Sequence, residues 1–288
     1  MGGEPPIWRA RHVEWRIVRP LVMGILNVTP DSFTDGGKHF TAETAVAHGL
    51  RLAEEGADIL DIGGESTRPG AQPVDADEEW RRVGSVIAEI SRKDDVPISV
   101  DTYKPEVARK AIRAGAVIVN DVHGLRDADM VRVVGNSGAG AVIMHMQGEP
   151  ATMQRHPTYT DVVAEVSAFL EQQMELAGAG DVARESLVVD PGFGFGKTPA
   201  HNTELLRRLG ELRSLGRPLL AGVSGKSFLE GSDADARNVS KGGPPTAVVA
   251  IRRGAEIVRV HAVLETIRLI EEMESPLGPP RRHAAPRA

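Results

Sequence analysis

Short aliphatic runs alternate with longer segments of helical periodicity along most of this chain. The runs have the length of β-strands, and their nearly continuous apolar character is typical of strands in a parallel sheet that is covered on both faces. They lie at residues 21 to 26, 58 to 62, 97 to 100, 116 to 119, 141 to 144, 186 to 189, 218 to 223 and 256 to 260. We therefore predict eight buried parallel strands.

The segments between these runs have apolar residues at the three- and four-residue spacing of one helix face. They are Ala42 to Ala53, Trp80 to Ile90, Val107 to Ile112, Met130 to Val134, Val162 to Met174, Leu205 to Leu212, Ala247 to Ile251 and Val263 to Ile270. Four helices are followed by glycine and alanine directly before the next strand, at Gly56, Gly115, Gly140 and Gly254. Glycine in the left-handed conformation ends many helices, so each of these four is predicted to terminate one.

Strands and helices that alternate eight times in one chain favour a closed barrel over an open doubly wound sheet, which usually has about five to seven strands. The predicted fold is α/β, a single-domain (β/α)8 TIM barrel over residues 20 to 274. Residues 1 to 19 are expected to form an N-terminal extension packed across the outside or the bottom of the barrel. Residues 275 to 288, rich in proline and arginine, are expected to be a disordered tail.

The composition excludes several kinds of site. The 34 basic and 40 acidic residues among 288 give a net charge of −6, and no long Lys/Arg run supplies the positive field that nucleic acid or an anionic membrane attracts. The absence of cysteine excludes disulfides, thiolate zinc sites and a cysteine nucleophile. No stretch resembles a signal peptide or approaches the about 18 apolar residues of a membrane span, so we expect a cytoplasmic protein without nucleic-acid or membrane partners.

Each predicted strand is closed by a polar residue. In a barrel these strand ends meet on one rim, where the loops that follow the strands build active sites. Taken singly, such residues are equally well explained as caps of the following helix, but eight on one rim indicate a site. The eight are Asn27, Asp61, Asp101, Asn120, His145, Asp190, Ser224 and His261.

Two loops on this rim are longer than the about 2 to 6 residues usual between a strand and the next helix. They follow the first two predicted strands, within residues 23 to 37 and 61 to 71. Long loops in this position are typical substrate clamps. Their paired glycines can present backbone amides to an anion, although glycine pairs also suit ordinary turns.

The motifs on the rim resemble those of the dihydropteroate synthase family. The resemblance extends in the expected order from residue 22 to residue 266, with a motif on nearly every loop, and is far more specific than a single glycine fingerprint. It implies a transferase of folate biosynthesis, the target of sulfonamides, that condenses 6-hydroxymethyl-7,8-dihydropterin diphosphate with 4-aminobenzoate and releases diphosphate. It also implies Mg²⁺ and a homodimer formed through outer helices. The motifs are MGILNVTPDSFTDGG, DIGGESTRPGA, SVDTYKPEVA, VNDVHG, MHMQGEPATMQ, VDPGFGFGKT, GVSGKSFL and VRVH.

A pterin presents several N–H donors beside carbonyl acceptors, so a buried pocket for it needs carboxylates and amides. Asp101, Asn120 and Asp190 are of this type. The resemblance implies that these three hold the pterin diphosphate together with Thr67 and Lys226. Two carboxylates in one pocket repel each other unless a cation or a donor-rich ligand lies between them, and Lys226 is the expected cation. The alternative for Asp101 and Asp190 is that each caps a loop.

Arg259 and His261 are separated by one residue on the last predicted strand, so their side chains point the same way. The resemblance implies that they bind the leaving diphosphate as one clamp, at the strand end where barrels often hold phosphate. The alternative, a structural core histidine, would leave Arg259 as a buried unpaired charge. The resemblance also makes Asn27 the protein ligand of Mg²⁺, an ion that prefers oxygen ligands. From the residues alone, Asn27 is equally a helix cap.

The second substrate carries an aromatic ring and a carboxylate, so its site needs apolar walls and polar contacts. Its amine is neutral at pH 7 and attacks before it loses its proton, so the chemistry requires no strong base. The expected catalytic residues therefore position the substrates and stabilise the leaving group, and they are Asp101, Lys226, Arg259 and His261. The residues assigned to the 4-aminobenzoate site are Phe33, Thr67, Arg68, Pro69, Phe195 and Ser227.

Two positions depart from the family pattern. Gly225 stands where an arginine commonly precedes the lysine, and Ala262 stands where an aspartate often follows the histidine. Other functions considered are a methyltetrahydrofolate-binding methyltransferase domain, which does not need the diphosphate-binding residues, and a catalytically silent pterin-binding paralogue. A metal-dependent barrel hydrolase would have an HxH pair after the first strand, where this chain has LNVTP.

Overall fold

Eight parallel strands form one sheet in the computed structural model of this chain, which describes residues 4–29, 41–66, 71–224 and 243–274. Two strands, β1 (Ile7–Ala10) and β2 (Val13–Arg16), precede this sheet as a separate hairpin. The eight strands of the sheet are β3 (Leu21–Asn27), β4 (Ile59–Gly63), β5 (Ile98–Asp101), β6 (Ile118–Asp121), β7 (Gly140–Met144), β8 (Leu187–Asp190), β9 (Leu220–Gly222) and β10 (Ile257–Val260). Strands β3 to β10 lie in the order β8-β7-β6-β5-β4-β3-β10-β9. A parallel bridge between Val189 and Leu219 joins the two ends of that order, β8 and β9. The predicted (β/α)8 barrel and its eight strands are confirmed, with strand ends shifted by at most two residues.

A helix follows each barrel strand and covers the outside of the sheet. Local signals set the helix ends: the Asp75 side chain caps the second helix by accepting from the Glu78 amide at 2.7 Å, and Pro105 occupies the first turn of the third. The helices are α1 (Ala42–Glu54), α2 (Ala76–Lys93), α3 (Pro105–Ala114), α4 (Ala128–Ser137), α5 (Val162–Ala179), α6 (Pro199–Arg207), α7 (Pro244–Arg252) and α8 (Val263–Glu274). Within the described part of the chain, no helix is long and apolar enough to cross a membrane.

Three of the four predicted helix-ending glycines have positive φ angles: Gly56 (100°), Gly115 (124°) and Gly254 (110°). The prediction for Gly140 is wrong. Helix α4 ends at Gly138, which has a left-handed φ of 65°, and Gly140 is already the first residue of β7. Gly138 and Gly140 both lie between the helical pattern and the aliphatic run, and the helical pattern does not distinguish which of them ends the helix.

Alternation along the barrel strands separates two apolar clusters. Leu60 and Ile62 of β4 point outward and belong to the cluster that packs against the helices. Ile59 of the same strand belongs to an inner cluster that fills the amino-terminal half of the barrel. The next inward residue on this strand is Asp61, so the apolar filling stops there and the upper half of the barrel is polar. The inner cluster contains Leu21, Met23, Ile59, Val117, Ile118, Val142, Val188, Leu220 and Ile257 from the barrel.

The hairpin of β1 and β2 covers the amino-terminal end of the barrel. Trp8 is fully buried in the inner cluster and stacks on Trp15 with ring centroids 4.9 Å apart. Its indole Nε1 donates to the carbonyl oxygen of Ser186 at 3.0 Å, just before β8. Arg217 donates to the carbonyl oxygens of Ile7 (2.7 Å) and Leu187 (3.0 Å), which ties the hairpin to the sheet. The segment before the barrel therefore contributes to the core.

Gly140 is glycine because the hairpin approaches it closely. A Cβ atom at this position would lie 2.9 Å from the Cβ of Ala10 and 3.2 Å from the Nε1 of Trp8. We expect Gly140→Ala to lower the free energy of unfolding by about 2 kcal/mol through overpacking. The control is Gly178→Ala in α5, where a Cβ would meet nothing within 4 Å. Urea unfolding measures both variants, and a Gly140→Ala protein as stable as the control would contradict this explanation.

Candidate active site

Carboxylate, amide and guanidinium groups meet inside the upper half of the barrel. They come from inward positions on four strands: Asp61 on β4, Asp101 on β5, Asn120 on β6 and Arg259 on β10. Arg259 donates through Nε to Oδ2 of Asp61 and through Nη2 to Oδ2 of Asp101, each at 2.5 Å. Asn120 donates through Nδ2 to the same oxygen of Asp61 at 3.0 Å. The barrel thus brings into one hydrogen-bonded group residues that are up to 198 positions apart in sequence.

Asp61 is a site residue that the sequence-based assignment omitted. It is fully buried and joins Arg259 to Asn120 through one oxygen, while its other oxygen, Oδ1, has no hydrogen-bond partner among the described residues. A buried acceptor without a donor is costly, so Oδ1 is a position that a ligand N–H can satisfy. The available signal was a polar residue in an otherwise aliphatic strand. The sequence pattern places Asp61 among the eight strand-closing residues of the rim but does not indicate its role in the site.

Burial strongly affects the pKa values of the charged residues in this hydrogen-bonded group. Burial raises the pKa of Asp101 to about 7, opposed by the charge of Arg259 and reinforced by that of Asp61. Burial alone would lower the pKa of Arg259, but Asp61 and Asp101 outweigh it and raise that pKa. The arginine therefore remains a cation between two carboxyl groups. Arg259 thus supplies a cation between Asp61 and Asp101, whereas Lys226, the cation expected between Asp101 and Asp190, lies outside the described residues and its role stays a prediction.

Asp190 lies at the end of β8 and serves the turn that follows it. Its Oδ1 accepts from the backbone amide of Gly192 at 2.7 Å, which is the turn geometry expected for the sequence DPG. Its Oδ2 points toward β9, 3.8 Å from where a Cβ on Gly222 would lie. The carboxylate is only 5% exposed, and its charge also acts on Arg259. The turn role and a pocket role are therefore compatible, because each uses a different oxygen.

The side chains of Arg259 and His261 have different partners. Arg259 pairs with the two aspartates, whereas Nδ1 of His261 lies 2.9 Å from Oγ of Ser224, at the ends of β10 and β9. The argument that Arg259 would be an unpaired charge without a bound anion is therefore wrong. The strands supply its counter-charges, and these lay too far away in sequence to be recognised.

Asn27 ends β3 and lies in register with Gly63, partly buried on the same rim. Among the described residues there is no group of three or more acidic, histidine or cysteine side chains that would hold a metal ion. A single amide oxygen fits an ion that receives most of its other ligands from a bound phosphate group or water. The donor set thus suits Mg²⁺ brought with a phosphorylated ligand.

Phe195 lies in the loop between β8 and α6 and packs against a third apolar cluster on the rim. That cluster is formed by Val122, Met144, Met146 and Met153, with Tyr103 also in contact. The position is that expected for an apolar wall. The remaining predicted site residues, and the departure at Gly225, lie outside the described residues: Phe33, Thr67, Arg68, Pro69, Lys226 and Ser227.

His145, one of the eight strand-closing residues, does not point into the pocket. It follows Met144, which faces the rim cluster, so alternation turns His145 to the outer side of the sheet. Its ring packs edge-on against Phe169 of α5, with centroids 5.0 Å apart, and its Nδ1 lies 2.9 Å from Nζ of Lys197. Lys197 was not identified from the sequence, because a lysine in a glycine-rich loop is ordinarily solvent-exposed.

Comparison with known proteins gives the same assignment as the motifs. The model of the family described as "Pterin binding enzyme" matches residues 23–261. The dihydropteroate synthase of Escherichia coli K12 is 44% identical over 264 residues, covering 90% of this chain and 92% of that protein. The relative from Neisseria meningitidis serogroup C is 44% identical over 275 residues, covering 93% and 97%.

Solved structures agree with the sequence relatives. The Xanthomonas albilineans dihydropteroate synthase with 4-aminobenzoic acid has a TM-score of 0.84 and 46% identity, with 92% of this chain and 96% of that chain covered. The same enzyme in complex with 7,8-dihydropteroate has a TM-score of 0.80 and 43% identity, with the same coverage. Since these similarities extend over the whole barrel, the chain belongs to the dihydropteroate synthase family of pterin-binding enzymes.

Proposed function

We propose that this chain condenses 6-hydroxymethyl-7,8-dihydropterin diphosphate with 4-aminobenzoate to give 7,8-dihydropteroate and diphosphate. The amine nitrogen forms a bond to the pterin methylene carbon, the bond from that carbon to the diphosphate oxygen breaks, and the nitrogen then loses one proton. The relatives described above bear the name of this activity, and the solved structures of the Xanthomonas albilineans enzyme contain 4-aminobenzoic acid or 7,8-dihydropteroate.

The observation that carries the proposal is the buried set of acceptors in the upper barrel. Asp61 Oδ1 lacks a donor among the described residues, and Asp101, Asn120 and Asp190 lie on inward positions of neighbouring or nearby strands. A pterin ring edge carries amino and ring N–H groups that such acceptors bind, beside a carbonyl that accepts from an amide N–H. We propose Asp101, Asn120 and Asp190 as pterin ligands, with Asp190 using the oxygen that does not bond to Gly192.

Arg259 is proposed to hold the leaving diphosphate together with His261. A guanidinium has five N–H donors, and the bonds to Asp61 and Asp101 use two of its nitrogens, which leaves further N–H groups for phosphate oxygens. A fixed cation at this position stabilises the charge that develops on the departing oxygen and needs no reorganisation during the reaction. The two aspartates position the guanidinium for that role.

Mg²⁺ is proposed as the metal, with Asn27 as its protein ligand. When bound, the ion would neutralise the diphosphate and improve it as a leaving group. For the second substrate, we propose that Phe195 forms a wall of the aromatic site. Thr67, Lys226, Phe33, Arg68, Pro69 and Ser227 retain the roles implied by the resemblance, as proposals.

A steady-state assay of dihydropteroate formation and diphosphate release from the two substrates tests the function. We expect turnover in Mg²⁺, loss of most turnover after chelation with EDTA, and recovery when Mg²⁺ is restored. Asn27→Ala is expected to need more Mg²⁺ for half-maximal rate by about tenfold, the loss typical of one ligand. Binding of the pterin diphosphate without product would instead indicate a silent paralogue.

Pterin affinity is expected to rise with pH. Asp101 accepts a pterin N–H only as a carboxylate, and burial places its pKa at about 7, so the ionised fraction grows through neutrality. Between pH 6 and pH 8 this fraction rises about tenfold, and the affinity for a dihydropterin should rise by about the same factor. Calorimetric titration at several pH values measures it, with Asp101→Asn as a control that should show a flat profile. A wild-type affinity that falls as the pH rises would contradict the assignment.

A homodimer is also proposed from the family resemblance, and a cytoplasmic location is proposed from the sequence patterns described above. Light scattering coupled to size-exclusion chromatography tests the first, with twice the chain mass of 30.8 kDa as the expected result. A species of the mass of a single chain at micromolar concentration would contradict it.

A further inference from the structure

Lys197 is a buried lysine whose ammonium group lies at the centre of the loop between β8 and α6. Lys197 is only 2% exposed to solvent. Nζ donates to the carbonyl oxygens of Gly192 at 2.9 Å and Phe195 at 3.1 Å, and lies 2.9 Å from Nδ1 of His145. A fourth and longer contact joins Nζ to the carbonyl oxygen of His145 at 3.4 Å, so the three protons of the ammonium group are shared among acceptors on the loop and at the end of β7.

His145 is suited to accept from Lys197 because its ring remains neutral. Burial, together with the charge of Lys197, lowers the pKa of His145 to about 2. A neutral imidazole that accepts at Nδ1 carries its proton on Nε2. Since His145 belongs to the end of β7, the ammonium joins that strand to the loop after β8.

The loop held by Lys197 carries two of the groups proposed to contact substrate. The amide of Gly192 donates to Oδ1 of Asp190, and the carbonyl of the same residue accepts from Lys197. Lys197 also holds the carbonyl of Phe195, the residue proposed as a wall of the aromatic site. A Cβ on Gly192 would lie 2.0 Å from the carbonyl oxygen of His145, so the loop lies directly against the end of β7.

Other side chains bind the carbonyl groups between these points. Gln154 donates to the carbonyl of Gly194 at 2.6 Å, and the hydroxyl of Tyr159 donates to that of Gly196 at 2.8 Å. These bonds come from outside the loop. Lys197 differs because it binds two carbonyls within its own loop and, at the same time, the His145 side chain at the end of β7.

We propose that Lys197 is a positioning residue for the synthase reaction, which orients Asp190 toward the pterin and Phe195 toward the second substrate by holding the Gly192 and Phe195 carbonyls. The inference rests on the proposed function. It predicts that loss of the ammonium affects the binding of both substrates and not only the stability of the fold.

The test compares Lys197→Met with Arg217→Met. The control also removes a basic side chain that donates to backbone carbonyls, but at the opposite end of the barrel, where its acceptors are Ile7, Leu187 and Glu185. We expect both variants to have a lower Tm. Only Lys197→Met should raise KM for 4-aminobenzoate and weaken pterin binding, each by about tenfold, since small displacements of binding groups have effects of this order or larger.

Two results would overturn the proposal: wild-type KM and pterin affinity in folded Lys197→Met, or equal increases of KM in both variants. If Lys197→Met does not fold, His145→Leu removes one acceptor and is expected to change the same two quantities by about threefold, a smaller effect because the ammonium keeps its other acceptors. Wild-type values in His145→Leu would then overturn the proposal. Wild-type turnover is measured in parallel, so that failure of the synthase activity itself is recognised separately.

Discussion

Replacing Arg259 with methionine is expected to lower kcat/KM for the pterin diphosphate by about a thousandfold, the upper range for loss of one charge-stabilising group. This substitution has two effects, and both lower the activity. The diphosphate loses a cation, and Asp61 and Asp101 lose the guanidinium to which each is bound at 2.5 Å. Without it the pKa of Asp101, already about 7, rises further because the charge that lowered it is gone, so Asp101 is mostly protonated at neutral pH and a pterin N–H meets a poorer acceptor.

Arg259→Lys separates these two consequences, because it keeps the charge but replaces the planar fork that bonds to both aspartates with a single ammonium. It should recover only part of the lost activity. A remote control is Arg11→Met, whose guanidinium donates to the carbonyl of Ile112 near the bottom of the barrel. Steady-state kinetics, with circular dichroism to establish that each variant is folded, provide the measurement. Activity in Arg259→Met within about threefold of wild type would remove Arg259 from the mechanism.

Asp190→Asn is expected to weaken pterin binding by about a hundredfold, which corresponds to about 3 kcal/mol. Asparagine retains one oxygen that can accept from Gly192, so the turn survives. The group that replaces Oδ2 is an NH₂, and it would face the donor edge of the pterin with another donor. The loss is therefore one of pairing within a preserved pocket.

Isothermal titration with a dihydropterin ligand measures this effect. Asp121→Asn is the matched control, because Asp121 is also a fully buried aspartate at a strand end and accepts from the amides of His123 and Leu125. Strand alternation places it on the outer side of β6, next to the inward Asn120. The control should bind pterin as the wild type does. Equal affinity in Asp190→Asn and wild type would exclude Asp190 as a pterin ligand.

The polar rim could be predicted because its signal is local. A polar residue that interrupts an aliphatic strand is visible in sequence, and Asp101, Asn120 and Asp190 were located by that interruption together with the family motifs. Asp61 carried the same interruption, but its role depends on Arg259, which lies 198 residues away. His145 carried it as well and points to the other side of the sheet. Strand alternation assigns its side only when the inward register of β7 is known.

The hairpin and Gly140 illustrate a second limit. Strands β1 and β2 have only four residues each and contain arginine and glutamate, so their apolar pattern is too weak to predict an element of the core. Trp8 of β1 is nevertheless fully buried at the bottom of the barrel. Its burial requires the inner residues of the barrel to be assembled around it. Gly140 was predicted to end the preceding helix, whereas it is glycine because of the hairpin near the start of the chain, which excludes a side chain there.

Periodicity, capping and motifs were enough to predict the eight-fold alternation of strand and helix, the rim that carries the candidate site and the protein family, since all three are properties of neighbouring residues. Contacts between distant parts of the chain required the tertiary structure. Arg259 lies between Asp61 and Asp101, Lys197 contacts His145 on the outer side of the sheet, and Trp8 closes the bottom of the barrel. These contacts arise when the barrel closes, because closure brings residues from distant parts of the chain within a few ångströms and removes water from between them.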